Sequence, residues 1–174
     1  IVVFTYNSSK FVIETLESAK NQTYSNIELI ITDDGSQDDT ASLCKAWLKD
    51  NQTYFKNTKL ITVEKNTGVS ANCNRGAKAT NGEWIKMIAG DDILFENCIA
   101  LNLKHALSSQ KALYYSKVEI FNNNGVLDFE SNFFNKISSE FGQKTKYRKK
   151  QAYLRYPVML NIPTVFINKS VMKN

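Results

Sequence analysis

Two pairs of adjacent aspartates, Asp33-Asp34 and Asp91-Asp92, are the residues of this 174-residue chain whose type and spacing most directly imply chemistry. Each pair follows a mainly apolar run, Ile27 to Ile31 and Trp84 to Ile88 respectively. Like charges side by side at a strand end are costly unless a cation, a set of N–H donors or solvent compensates them. Asp91-Asp92 also follows Gly90, which lets a ligand approach the backbone. Its hard oxygens suit Mg2+ or Mn2+ bridging to a phosphate, with substrate and water completing the shell. Capping of the following helix accounts for the same two residues equally well. For Asp33-Asp34-Gly35-Ser36 a plain turn is the stronger reading. The functional alternative is one carboxylate accepting from a ligand N–H or hydroxyl. Tyr6, just after the apolar run Ile1 to Phe4, serves either as core filler or as a stacking platform for a base.

Several arrangements are missing. No G-x-G-x-x-G follows a strand and no G-x-x-x-x-G-K-[ST] occurs, which excludes the dinucleotide fingerprint and the phosphate loop. The single histidine, His105, falls in a predicted helix away from every strand end, which argues against a Ser-His-Asp triad and makes it a surface residue. Cys44, Cys73 and Cys98 show no C-x-x-C pairing and read as reduced thiols. No apolar run approaches the roughly 20 residues that cross a bilayer, and no signal-peptide n-region opens the chain. The absent start Met and the stop at Asn174 read as a fragment.

Turn residues divide the first 120 positions into alternating strands and helices. Strands are expected at Ile1–Phe4, Ile27–Ile31, Leu60–Val63, Trp84–Ile88 and Leu113–Phe121, with a turn at Asn122 to Gly125. Between them fall a helix carrying Phe11, Val12, Leu16 and Ala19, another carrying Leu43, Trp47 and Leu48, and helices at Ser70–Thr80 and Cys98–Leu107. Asn7, Ser8 or Ser9 is expected to cap the first helix and Asp38 or Asp39 the second. A final strand is expected at Thr164–Ile167, after Pro163. This alternation implies an α/β fold, a mostly parallel sheet with helices on both faces. Ligands of such sheets bind at the carboxyl ends of the strands. That selects Thr5-Tyr6-Asn7, Asp33 to Ser36, Asn66-Thr67-Gly68 and Gly90-Asp91-Asp92.

The stretches VVFTYN, LESAKNQTYSNIELIITDDGSQDDT and NTGVSANCNRGAKATNGEWIKMIAGDDIL, with IPTVFINKSV near the end, resemble the family 2 glycosyltransferases of the GT-A fold. The likeness covers about residues 1 to 95 closely, with four motifs in the family's order and spacing. It implies one GT-A domain over 1–174, with 1–95 as the nucleotide-sugar-binding half and 96–174 as part of the acceptor side. The implied reaction is metal-assisted transfer of a sugar, with inversion, from a nucleotide-diphosphate donor to an acceptor hydroxyl. By resemblance Tyr6 packs on the base, Asp34 accepts from its imide N–H with Thr5 beside them, and Asn66 lies near the nucleotide or diphosphate. Asp91 and Asp92 form the acidic motif. One of them contacts Mn2+ or Mg2+, with Asp92 favoured, and the other the ribose or a bound water. The implied donor is a UDP- or dTDP-sugar and the acceptor a saccharide or a lipid-linked saccharide. The setting is bacterial cell-surface polysaccharide or lipopolysaccharide synthesis, in the cytoplasm and peripheral at the inner face of the membrane.

Two departures from the family pattern stand out. Where many members carry Ala-Arg-Asn, this chain has Asn72-Cys73-Asn74. Arg75, about 100° round the helix from Asn74, is not expected to substitute. The family's catalytic base belongs to a Glu-Asp motif, and nothing after Glu140 is acidic, so the base is expected beyond Asn174. A non-catalytic nucleotide-binding or regulatory module of the same fold is the rival reading. A receiver-like domain is weaker, because Thr5-Tyr6-Asn7 offers no nucleophilic carboxylate.

Charge is uneven. The net +5 divides into 14 basic and 17 acidic residues over 1–140, and 8 basic with no acidic over 141–174. Lys144, Lys146, Arg148, Lys149, Lys150 and Arg155, interleaved with tyrosines, form either an ordinary solvated face or a surface for an anionic membrane. No motif supports nucleic-acid binding.

Overall fold

The computed structural model describes residues 1–109, 111–122, 124–128, 131–133, 135–136, 139, 145 and 162–172. The six basic side chains from Lys144 to Arg155 lie outside these described residues. The chain divides into two compact units, Ile1–Leu113 with Phe166–Asn174, and Tyr114–Val165.

In the first unit, β1 (Val2–Thr5), β2 (Glu28–Asp33), β3 (Asn57–Thr62) and β4 (Trp84–Ala89) alternate with α1 (Val12–Lys20), α2 (Thr40–Asn51), α3 (Val69–Ala79) and α4 (Cys98–Ser109). The four strands pair in parallel in the order β3-β2-β1-β4. Thr5 is level with Asp33, Asp33 with Thr62, and Phe4 with Ala89, so all four carboxyl ends finish on one rim. Beyond β4 lies β8 (Val165–Asn168), antiparallel, with Trp84 opposite Asn168 and Lys86 opposite Phe166. The Trp84 and Phe166 rings stack 5.1 Å apart and 6° from parallel. The Asn168 N–H donates to the carbonyl of Ala112, just before β5 (Leu113–Tyr115).

Successive side chains on a strand face opposite ways, so one hydrophobic run supplies two cores. Val3, Leu29, Ile31 and Ile88 pack with Leu16 of α1, Trp47 of α2 and Ile99 of α4. Val2, Ile30 and Ile85 pack with Ala77 of α3 on the other face. The close seat of α3 depends on Gly76, where an added Cβ would lie 2.4 Å from Val2 Cγ1 and 3.0 Å from Thr32 Cγ2.

The observed boundaries depart from the expected ones where sequence cues are weakest. β3 begins at Asn57 and not Leu60, because an edge strand tolerates the polar Asn57-Thr58-Lys59 that hides it from a search for apolar runs. No side chain of Asn7, Ser8 or Ser9 caps α1; the Ser8 carbonyl instead accepts from the Phe11 and Val12 N–H groups. Asp39 is the residue before α2 but makes no side-chain cap, while Asp38 accepts from the Thr40 N–H. In the second unit the expected strand to Phe121 is shorter. Phe121–Asn122 and Gly125–Val126 form their own two-stranded hairpin, β6 and β7, about the expected turn, with Gly125 at φ +115°. There Asn135 Oδ1 accepts from the Val118 N–H, and Ser131 Oγ from that of Ile120.

Candidate functional site

A cleft of about 280 Å³ opens on the rim where β1 to β4 end. Thr5 and Tyr6 reach it from β1, Asp34 from β2, Asn66 and Gly68 from the turn after β3, and Gly90 and Asp91 from β4. Five residues singled out from sequence, Thr5, Tyr6, Asp34, Asn66 and Asp91, are thus brought to one cavity.

Asp34 lies almost wholly inside, 2% exposed, and its carboxylate is surrounded by donors. Oδ2 accepts from the N–H groups of Thr67 (2.9 Å) and Gly68 (2.8 Å). Oδ1 accepts from the Thr67 hydroxyl (2.6 Å) and from Arg75 Nη2 (3.2 Å). Burial pushes this carboxyl's pKa up, but the donors of Thr67, Gly68 and Arg75 outweigh burial and hold it below the usual carboxylate range. Asp34 therefore stays ionised and ties the turn after β3 to the end of β2. The Asn66 side chain finishes that turn, its Oδ1 accepting from the Gly68 N–H at 2.9 Å. Gly68, at φ +91°, precedes the first residue of α3, so the positive end of that helix points at the cleft and favours an anionic group there.

Asp33 has a different task. It is 1% exposed, and its carboxylate accepts from the Thr5 hydroxyl (2.8 Å) and from the Ser36 N–H (3.0 Å) and hydroxyl. Asp38 links the first two loops. Its Oδ2 accepts from the Ser9 N–H at 3.1 Å and its Oδ1 from the Thr40 N–H and hydroxyl. Burial raises the Asp38 pKa, but the Thr40 and Ser9 donors prevail and bring it down to about 2. Asn7, in the left-handed region at φ +51°, accepts from the Gln37 N–H through Oδ1. The loop that presents Tyr6 is thereby fixed from two sides. Tyr6 remains 46% exposed, a ring available for stacking.

The acidic pair after β4 is split. Asp91 is exposed and lines the cleft. Asp92 is half-buried, does not line it, and accepts from the Ala89 N–H at 3.2 Å. Burial pushes the Asp92 carboxyl above its ordinary pKa, and the neighbouring Asp91 charge adds to the effect. Gly90 allows this arrangement, since a Cβ there would lie 2.8 Å from Thr5 Cγ2 and 3.0 Å from Ser8 Cβ. Among the described residues no three His, Cys, Asp or Glu side chains gather into a self-sufficient metal cage. One or two carboxylates beside an open cleft fit a Mg2+ or Mn2+ ion that takes its other ligands from a phosphate and water.

Sequence reasoning missed three contributors. Ser8 and Asn72 line the cleft. Asn72, 2% exposed, accepts from the Thr32 hydroxyl at 2.7 Å and donates to the Thr5 carbonyl at 3.1 Å. Arg75, not expected to substitute for the missing arginine, does not line the cleft itself but sets its guanidinium on Asp34, Thr67 and Asn72 behind the lining. The i, i+3 spacing of Asn72 and Arg75 on α3 was the available signal, because such residues share one face.

A family model described as Glycosyl transferase family 2 matches residues 1–173. Curated bacterial relatives align at 28–38% identity, and the chain spans only 14–48% of their lengths. One of them is the Escherichia coli UDP-Glc:alpha-D-GlcNAc-diphosphoundecaprenol beta-1,3-glucosyltransferase WfgD, 28% identical over 127 residues, covering 73% of this chain and 48% of WfgD. Among solved structures, Staphylococcus aureus TarS 1-349 in complex with UDP superposes with TM-score 0.63 at 24% identity, over 72% of this chain and 37% of TarS. The mannosyltransferase PcManGT from Pyrobaculum calidifontis, in complex with GDP-Man and Mn2+, gives 0.61 at 19% identity over 67% and 35%. Both share the fold of this chain.

Proposed function

The chain belongs to glycosyl transferase family 2, and from that membership we propose that it transfers a sugar, with inversion and metal assistance, from a nucleotide-diphosphate donor to an acceptor hydroxyl. The observation that carries the proposal is the convergence of Tyr6, Asp34, Asn66 and Asp91 from four strand ends on one cleft beside a helix N-terminus. Tyr6 stacks on the base. Asp34, kept ionised by its donors, accepts from the imide N–H of that base, with Thr5 beside them. Asn66 and the first turn of α3 face the diphosphate. Asp91, with Asp92 behind it, holds Mg2+ or Mn2+, which neutralises the departing diphosphate when bound. Residues 1–95 form the donor half and 96–174 contribute to the acceptor side.

A UDP- or dTDP-sugar is the proposed donor, in keeping with the UDP bound to TarS and the UDP-Glc in the name of WfgD. A saccharide carried on a lipid diphosphate is the proposed acceptor, by analogy with the acceptor in the name of WfgD. The setting is then bacterial cell-surface polysaccharide or lipopolysaccharide synthesis. Among the described residues no helix is long and apolar enough to cross a membrane. The proposed location is cytoplasmic and peripheral at the inner membrane face, with Lys144 to Arg155 supplying the attraction to anionic lipid.

Calorimetric titration of UDP with and without Mn2+, on the wild type, Asp91→Asn and Asp92→Asn, tests the proposal. Tight binding should require Mn2+ and weaken by roughly tenfold or more in Asp91→Asn, which loses the carboxylate that faces the cleft, and by less in Asp92→Asn, whose carboxylate stands behind it. Equal, metal-independent binding in all three would overturn it.

A further inference from the structure

Asp34 holds more hydrogen bonds than a turn requires, and one of its partners comes from an unexpected place. An ionised carboxylate offers about four lone-pair sites. At Asp34 the Thr67 and Gly68 backbone amides and the Thr67 hydroxyl approach at 2.6–2.9 Å, and the fourth and longest contact, 3.2 Å, is to Arg75 Nη2. Arg75 supplies the ion pair to this carboxylate, whose side chain is 3% exposed.

The same guanidinium reaches further. Nη2 also donates to the Thr67 hydroxyl at 2.7 Å, so that hydroxyl is oriented to donate its own hydrogen bond to Asp34. Nη1 donates to Asn72 Oδ1 at 2.9 Å, and Asn72 Nδ2 donates to the carbonyl of Thr5, the residue before Tyr6. One planar cation therefore spans the end of β2, the turn after β3 and, through Asn72, the end of β1. A lysine at this position would be a point charge, without the fork that reaches several acceptors in one plane.

We propose that Arg75 is the positioning residue of the nucleotide pocket, holding the Asp34 carboxylate and the strand end that presents Tyr6 in the one relative geometry that reads a base with a ring N–H on its pairing edge. This rests on the nucleotide-binding reading above. Arg75 itself touches no substrate. An incoming base ring N–H shares Oδ1 with Arg75, whose contact is the longest of the four and leaves that oxygen the most room, while Arg75 stays held by Thr67 and Asn72. Selectivity for the base then depends on Arg75, whereas diphosphate and metal contacts, made from α3 and Asp91, do not.

The test is Mn2+-supported titration of UDP, GDP and CDP into the intact wild-type protein, Arg75→Gln and Arg75→Lys, with melting temperatures taken alongside. UDP and GDP carry a ring N–H on the pairing edge and CDP does not. The wild type should bind one of the first two roughly tenfold or more tighter than CDP, the discrimination expected of a hydrogen bond to a charged acceptor. Arg75→Gln should lose most of that preference while its CDP affinity changes by less than about threefold, and Arg75→Lys should fall between. A purely structural role would lower the melting temperature, or weaken all three nucleotides alike, and leave the ratio standing; that result overturns the proposal, as does a wild type indifferent to the base. Should Arg75→Gln fail to fold, an unchanged ratio in Arg75→Lys overturns it equally. A wild type that binds no nucleotide at all refutes the donor-site reading instead, so the two failures are distinct.

Discussion

Replacing Gly90 with alanine tests whether the acidic loop is placed by close contact with β1. The added Cβ would meet Thr5 Cγ2 at 2.8 Å and both Ser8 Cβ and Oγ at 3.0 Å, where ordinary contact begins at 3.4 Å. Ser8 Oγ can turn aside. Thr5 cannot, because it is 2% exposed and its hydroxyl is bonded to Asp33, so rotating away the methyl would break that bond. The backbone of Gly90 must therefore retreat from β1, straining the Gly90 N–H bond to the Phe4 carbonyl, now 3.0 Å. Overpacking of this kind costs about 1–3 kcal/mol. The shift also displaces Asp91, and misplacement on the order of 1 Å in a positioned site costs up to about a hundredfold. Urea unfolding should reveal the stability loss, and UDP titration with Mn2+ a loss of roughly tenfold or more. Gly82→Ala is the matched control, since its nearest neighbour would be the Trp84 carbonyl at an ordinary 3.6 Å. Its stability should stay within about 1 kcal/mol of wild type. If Gly90→Ala and Gly82→Ala behave alike in both assays, close packing of the loop against β1 is not what places Asp91.

Three further outcomes are expected. Asp92→Asn should raise the melting temperature of the metal-free protein at pH 7, because its carboxyl pKa is raised by burial and by Asp91, and an acid so shifted destabilises the fold at any pH where it is ionised; an unchanged or lower melting temperature would refute this. Asp38 is the opposite case, its pKa depressed to about 2, so its contribution is complete above the ordinary carboxylate pKa of about 4 and fades as pH falls towards 2. Asp38→Asn should accordingly cost on the order of 1 kcal/mol at pH 7, discounted for its exposure, with the gap from wild type in urea unfolding narrowing near pH 2.5. Trp84→Ala should remove the stack on Phe166 and speed amide hydrogen exchange in β8 while leaving β1 and β2 protected; uniform acceleration across the sheet would argue that β8 is not held locally.

Much of this protein is legible in its sequence. The apolar runs and helical spacings are local periodicities, and they carry the alternation of strand and helix, from which the parallel sheet and its ligand-bearing rim follow. The aspartate pairs were recognisable because two adjacent charges ending an apolar run need an explanation. What periodicity could not supply was the fate of individual polar atoms. Asp33 and Asp34 are neighbours of the same type, yet one bonds to Thr5 and Ser36 and the other to Thr67, Gly68 and Arg75. That division depends on strand twist and on which segment crosses above each carboxylate. Asp91 and Asp92 separate for the same reason, one facing the cleft and the other turned back on Ala89. Lys86 shows the limit from the other side. It sits in a strand that reads as apolar and is 2% exposed, with burial pulling its pKa down. The sequence by itself determined the order of elements, the rim and the residue types available there, since those follow from chain-local patterns. That Arg75 bonds to Asp34, some 40 residues earlier, and Asn72 to Thr5, nearly 70 residues earlier, was settled by tertiary structure alone, because hydrogen bonds between distant segments are set by packing, and a shared helix face shows only that two residues point the same way, not what they meet.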